Sequence, residues 1–210
     1  MIVKALTVGD IIPTNSYFYI DEKSKHGFLI DAGGNADLLE REISNNGWKI
    51  EKILLTHGHF DHIGAVERLS RDLNVPYYIH QSGKQYLSDS EYNLSAYFGI
   101  PIILGDAKYF IDGDEIFLDA DKNVKLRVLY TPGHTTDSVV FYDAKNELAF
   151  CGDTIFKSGV GRTDVPGGNA EQLRQSIEKK IFTLPDNTVL YSGHSAPTTV
   201  GMEKKYYNMY

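Results

Sequence analysis

Thr56-His57-Gly58-His59-Phe60-Asp61-His62 places four metal-binding side chains within seven residues. Three imidazoles and a carboxylate this close together are costly to bring out of water unless something binds them. The stretch directly follows an apolar run, Ile53-Leu54-Leu55. The order strand, loop, ligands puts these groups at the carboxyl end of a strand, where α/β folds tend to keep their sites. Imidazole nitrogens and carboxylate oxygens in an open arrangement suit zinc, and iron and manganese accept the same donors.

Three later words extend the set. They are His134 in Thr131-Pro132-Gly133-His134-Thr135, Asp153 in Cys151-Gly152-Asp153-Thr154, and His194 in Ser192-Gly193-His194-Ser195. Each follows an apolar run, and each sits in a glycine-containing loop where backbone approaches closely. Five of the seven histidines are thus used at strand ends, with only His26 and His80 outside the pattern. A lone strand-end imidazole usually just satisfies a turn. Five of them with two aspartates at four strand ends do not fit that reading.

The order H-x-H-x-D-H, then His, Asp and His, resembles the metallo-β-lactamase fold superfamily, from Leu29-Ile30-Asp31-Ala32-Gly33 to Gly193-His194. Within it the chain is most similar to the glyoxalase II-like hydrolases (hydroxyacylglutathione hydrolases). The supporting words are Gly152-Asp153-Thr154-Ile155-Phe156, Gly161-Arg162-Thr163-Asp164 and His194-Ser195-Ala196-Pro197-Thr198-Thr199. The resemblance implies an α/β (α+β) fold, a four-layer αββα sandwich. It also implies two divalent metal ions, zinc first, with iron or manganese as options. His57, His59 and His134 hold one, Asp61, His62 and His194 the other, and Asp153 bridges. The expected nucleophile is a metal-bound hydroxide, with His59, Asp61 and Asp153 as the catalytic ligands. Asp31, before Ala32-Gly33-Gly34, is expected to receive an imidazole N–H or brace the metal loop.

Composition bounds the rest. The 210 residues are read as one domain, 1–210, with 42% hydrophobic and 23% charged residues. A net charge of −7 without a basic run disfavours a nucleic-acid partner. No stretch is long enough to span a bilayer, and the start does not read as a signal peptide. A cytoplasmic protein without a membrane partner is expected. The single cysteine, Cys151, reads as core rather than ligand or nucleophile.

Strands are expected over 2–8, 15–20, 27–31, 51–55, 76–79, 107–111, 115–118, 125–130, 138–143, 147–151 and 188–191. Helices are expected from Ala36 to Asn45-Asn46, over 62–73, over 170–181 with Asn169 at its start, and over 198–207. Residues 82–104 read as an insertion beside the site. Its Tyr86, Tyr92, Tyr97 and Phe98 either line a pocket or pack on their own domain. Tyr206, Tyr207 and Tyr210 are expected to pack on a sheet or at a subunit contact.

A metal hydroxide attacks thioester, ester, lactam or lactone carbonyls alike. A thiolate leaves with little proton assistance, so a site without an added general acid suits an acyl thioester. The resemblance points to S-lactoylglutathione. Full-length glyoxalase II carries a helical carboxyl-terminal domain that grips glutathione, whereas here only Met202–Tyr210 follow the last ligand loop. Lys157 and Arg162 are the nearest cations for the tripeptide carboxylates, with pairing to Asp164 the competing role for Arg162. Rival readings are a mononuclear iron persulfide dioxygenase, suggested by Gly161-Arg162-Thr163-Asp164, and a lactonase or other ester hydrolase. A flavin-partnered diiron protein would carry Glu where His59 stands.

Overall fold

The computed structural model describes residues 1–207. Two six-stranded sheets face each other, with helices on both outer surfaces. The first sheet runs in the order β1 (Ile2–Val8), β2 (Thr14–Ile20), β3 (His26–Ile30), β4 (Lys49–Leu54), β5 (Tyr77–His80), β6 (Lys108–Phe110). Its β1–β2–β3 part is antiparallel, and from β3 onward neighbours are parallel. The second sheet uses β7 (Glu115–Phe117), β8 (Lys125–Tyr130), β9 (Val139–Asp143), β10 (Leu148–Gly152), β13 (Val189–Ser192) and β14 (Thr198–Thr199). Between β10 and β13 lies a small hairpin, β11 (Ile155–Phe156) with β12 (Gly159–Val160), which the apolar pattern did not announce.

Alternation in β2 explains the layering. Tyr17 and Tyr19 point between the sheets and join Phe28, Ile30, Val128, Phe141 and Phe150. Phe18 and Ile20 point to the other face, under α1 (Ala36–Asn46) and α3 (Val66–Leu73), with Leu29, Leu39, Ile53 and Leu69. The outer face of the second sheet buries Val140, Ala149 and Cys151 beneath α5 (Ala170–Ser176) and α6 (Val200–Tyr207). Cys151 is fully buried, and burial pushes its thiol well up.

Several boundaries differ from expectation. The helix expected over 62–73 is two pieces, α2 (Phe60–Ile63) and α3. It breaks because the Ala65 N–H is taken by the Ala32 carbonyl at 2.8 Å, across from β3. The segment over 170–181 begins at the Asn169 cap, whose side chain accepts from the Gln172 N–H, but turns π-helical over Ile177–Ile181. Residues 82–104 contain one short helix, α4 (Lys84–Ser88), and a 3₁₀ turn at Ser95–Phe98. Tyr207 packs on Phe182 against the outer face of the second sheet, and Tyr210 lies outside the described residues. No helix among the described residues is long and apolar enough to cross a membrane.

Phe150 carries the contact between sheets, with Tyr17 and Tyr19 ring centroids each 5.4 Å away. Phe150→Ala is expected to lower the unfolding free energy by about 3–5 kcal/mol in a denaturant titration. A loss under about 1 kcal/mol would mean the sheets collapse onto the gap or are held together elsewhere.

Candidate metal centre

Strand ends deliver every side chain of the centre. The loop after β4 carries His57, His59, Asp61 and His62. The turn after β8 carries His134, the end of β10 Asp153, and the end of β13 His194. The β10–β13 register shifts between Phe150 and Gly152, just where the chain must turn Asp153 inward. Gly152 has φ 47°, and a Cβ there would fall 2.2 Å from Thr56 Oγ1, so only glycine lets the two loops approach.

The seven predicted ligands meet in one place. Ligand atoms of His57, His59 and His134 lie within 4.8 Å of one another, as do those of Asp61, His62 and His194. A third grouping of His57, His62 and Asp153 links the two. Asp153 reaches both sides: its Oδ2 is 3.1 Å from His194 Nε2 and 3.6 Å from His134 Nε2. All but His194 are buried.

Outward hydrogen bonds fix which nitrogens face inward. His134 Nδ1 donates to the Arg162 carbonyl at 2.7 Å, and His194 Nδ1 to the Pro13 carbonyl at 2.9 Å. A carbonyl only accepts, so each ring, when neutral, turns a bare Nε2 to the centre. His62 Nδ1 donates to Asp31 Oδ2 at 2.9 Å, which does the same. Asp31 also accepts from the Thr56 N–H at 2.8 Å and Thr56 Oγ1 at 2.7 Å. With its proton given to Asp31, the Thr56 hydroxyl accepts from His57 Nδ1 at 3.2 Å.

The donor set therefore fits a cation. Nε2 of His57 and His134 stand 3.1 and 3.0 Å from His59 Nδ1, and one shared proton cannot satisfy three nitrogens. His59 Nε2, His62 Nε2 and Asp153 Oδ1 are buried without a hydrogen-bond partner. The last two face each other at 3.4 Å. Burial at such atoms is offset by metal ligation or by a charge partner.

The electrostatics divide the centre in two. Burial, reinforced by neighbouring rings, holds His57 and His59 neutral, the latter pushed down to about 3. Burial also lowers His134. Burial opposes the charge of His62, but Asp61, Asp31 and Asp153 outweigh it and hold the ring well above its ordinary range. Burial opposes His194 too, and hydrogen bonds to Asp153 and Asp61 push it up to about 10. Against burial, His62 and His194 draw Asp61 down to about 2, and Asp153 lies well below the usual carboxylate range. The carboxylate half thus attracts positive charge, whether protons or metal, and the two compete.

Substrate-side expectations fare differently. Arg162 and Asp164 form a two-pronged ion pair at 2.7 and 2.8 Å, so the guanidinium is engaged at the rim. Lys157 is exposed and does not line the cavity over the centre; its backbone N–H donates to Ser195 Oγ. Tyr97 and Phe98 line the cavity, whereas Tyr86 is buried edge-on to His59 and Tyr92 packs on Tyr86. His26 pairs with Glu51, and His80 stacks on Tyr130, both away from the centre.

Sequence reasoning missed four contributors. Thr14 Oγ1 donates to Asp61 Oδ2 at 2.7 Å. The Pro13 and Arg162 carbonyls orient rings, and nothing in their side chains signals it. Asp137 is fully buried behind the metal loop, and both its oxygens lack a hydrogen-bond partner of good geometry. A Cβ at Gly58 would stand 3.4 Å from its Oδ2. Burial pushes Asp137 up to about 7.

A model of the metallo-beta-lactamase superfamily matches residues 9–194. A probable metallo-hydrolase, YqgX of Bacillus subtilis, is 38% identical over 92% of this chain and 90% of its own length. Hydroxyacylglutathione hydrolase GloC of Haemophilus influenzae is 33% identical over 93% and 94%. Among solved structures, BLEG-1 B3 metallo-beta-lactamase superposes with a TM-score of 0.91 at 34% identity, covering 97% of both chains. TTHA1623 in a di-iron-bound form gives 0.86 at 30% identity, covering 97% and 98%.

Two outcomes follow. Asp31→Asn removes the charge that anchors His62 and Thr56, and metal affinity in a chelator competition is expected to fall about 10–100-fold. Unchanged affinity would show that the loop holds itself. Asp137 has its folded pKa raised above the ordinary carboxylate value, so its contribution is present below about pH 4 and lost as pH rises to about 7. Asp137→Asn is therefore expected to gain in thermal midpoint relative to wild type at pH 8, with the gap closing toward pH 4. A gap independent of pH would show that the carboxylate is charged throughout.

Proposed function

The chain belongs to the metallo-beta-lactamase superfamily and is a metallo-hydrolase of it, and from that premise we propose a binuclear thioesterase of the glyoxalase II kind. Its substrates are acyl thioesters of a small thiol, with hydroxyacylglutathione as the reference compound. The observation that carries the reading is the cavity over the centre. It is lined by His59, Asp61, His134, Asp153 and His194, and by no Ser, Thr, Cys or Lys. The hydroxyl, thiol and amine nucleophiles of covalent acyl transfer are therefore missing from the lining, which favours water as the source of the oxygen. The similarity to GloC supports the thioester branch.

Two divalent ions, zinc by our reading, would be held by His57, His59 and His134 and by Asp61, His62 and His194, with Asp153 between. Such ions supply Lewis acidity and bring the pKa of bound water to around 7. The chain's own residues do the positioning. Asp31, the Arg162 carbonyl and the Pro13 carbonyl lock ring tautomers through the Nδ1 protons they accept. Thr14 orients Asp61 through one carboxylate oxygen. Phe60, Phe98 and Phe156 shield the carbonyl from bulk water. Water gives up its protons to solvent as its oxygen bonds to the carbonyl carbon to form the carboxylate, the C–S bond breaks, and sulfur leaves with the electron pair. The thiolate, with a pKa of about 8.5, then takes a proton from solvent. The reaction needs no general acid, and no neutral acid faces the cavity beyond the tyrosine at its mouth.

Low-molecular-weight thiols stay reduced in the cytoplasm, which supports that location. The net charge of −7 supports a small-molecule partner over a nucleic acid.

Protein purified without added metal is expected to carry about two zincs per chain and to hydrolyse S-lactoylglutathione. Chelation should remove the activity and zinc restore it. His59→Ala is expected to show no measurable turnover while its far-UV circular dichroism stays native. Activity unchanged in that variant sinks the metal mechanism. One iron per chain, with oxygen uptake on glutathione persulfide and no thioester cleavage, moves the protein to dioxygenase chemistry.

A further inference from the structure

The cavity over the metal centre has two chemically different sides. Its volume is about 640 Å³, room for a drug-sized ligand. The floor is the polar centre. The walls are apolar: Phe60, Leu94, Tyr97 and Phe98 on one side, Phe156 and Val160 on the other. The charged residues of the lining beyond the centre are Arg162 and Asp164, and they neutralise one another. Outside the centre, where bound ions would offset Asp61 and Asp153, this leaves walls with no uncommitted cation. The two carboxylates of a glutathione tripeptide find no partner on these walls, because a carboxylate loses its water there without gaining a counter-charge.

The apolar wall is built, not incidental. Leu94 is held at φ 71°, an uncommon backbone for a residue with a branched side chain. Its neighbour enforces this: the Asn93 amide donates to the Tyr86 and Ile102 carbonyls, and the Asn93 carbonyl accepts from the Phe60 N–H. Phe60 and Phe98 rings pack 4.7 Å apart, which ties the segment to the metal loop itself. Yet Phe98 remains 45% exposed and Tyr97 72% exposed. Apolar surface held open beside a reaction centre is surface a substrate can cover.

We infer that the substrate presents a bulky, uncharged apolar group, aliphatic or aryl, to the Leu94–Tyr97–Phe98 wall, and that the acyl part of the thioester is that group. The inference rests on the thioesterase reading for its chemistry and on the cavity for its selectivity. The thiol half then needs only to be small or to trail into solvent.

The zinc-loaded full chain is assayed with one thiol and a graded acyl series: S-lactoyl-, S-hexanoyl- and S-phenylacetyl-glutathione. The same acyl groups are tested on N-acetylcysteamine. We expect kcat/KM to rise at least tenfold from lactoyl to phenylacetyl. Replacing glutathione by N-acetylcysteamine should change it by less than about threefold. Phe98→Ala and Tyr97→Ala, both exposed enough to leave the core intact, should flatten the series. A rate that falls with acyl size, or that drops more than tenfold without glutathione, overturns the inference. Binding of two uncleavable thioethers, S-hexyl- and S-methyl-N-acetylcysteamine, is measured by calorimetry alongside. If no thioester is cleaved, the thioesterase reading fails, and the calorimetry still decides the wall. Hexyl at least tenfold tighter than methyl, with the difference lost in Phe98→Ala, upholds it, and equal affinities refute it.

Discussion

The buried carboxylate of Asp31 is the contact on which the centre hangs. It accepts three hydrogen bonds, from the Thr56 amide, the Thr56 hydroxyl and His62 Nδ1. Charge-assisted bonds of this kind are the strong ones in a protein interior, and three of them justify burying the charge. Through Thr56 the effect spreads. The hydroxyl meets His57 Nδ1, the carbonyl accepts from the Val139 N–H of the opposite sheet, and the side chain occupies the space that forces glycine at 152. One aspartate at the end of β3 thereby joins β4, β9 and β10, the strands that must be in register for the ligands to converge.

Convergence has a cost that the rest of the fold absorbs. Inward-facing imidazole nitrogens about 3 Å apart repel unless a proton or a metal sits between them. The sandwich supplies the counterweight in two apolar layers outside the sheets and one between them. Local rules fail together around the centre: a left-handed aspartate, a register shift, a broken helix and an unpaired buried carboxylate. Such violations are expected where function competes with packing. Metal binding to the native state alone returns stability in proportion to its affinity.

The strand ends were legible in the sequence because each ligand follows an apolar run that only a buried strand explains. The αββα layering was expected from the family resemblance, and the structure shows β2's alternating aromatics serving its two cores. What escaped has a common physical cause: it depends on groups that every residue carries or on contacts distant in the chain. The carbonyls of Pro13 and Arg162 orient His194 and His134 regardless of their own side chains. The helix after the metal loop breaks at Ala65 because of a carbonyl 33 positions earlier, which periodicity cannot see. Asp137 carries no motif, and only its burial behind Gly58 sets it apart. Residues 82–104 had no period to read because their shape is set by side-chain-to-backbone bonds from Asn93.

The two walls of the cavity are not equally free to change. The wall from β11 to Pro166 is welded to the metal centre. A Cβ at Gly161 would fall 2.0 Å from the Asp153 carbonyl oxygen and 3.1 Å from His134 Cγ, while the next residue's carbonyl fixes the His134 tautomer. A side chain at Gly161 would therefore move ligands. The opposing segment meets the metal loop through Phe60, on which Phe98 packs, and through Tyr86 against His59, while Tyr97 stands mostly in solvent. The exposed Tyr97 side chain can be exchanged without opening the core. Reactivity therefore resides in rigid strand ends and their carbonyl braces, and substrate choice resides in a segment whose left-handed non-glycine residue is Leu94 and which Asn93, Ser95 and Tyr86 hold by side-chain-to-backbone bonds.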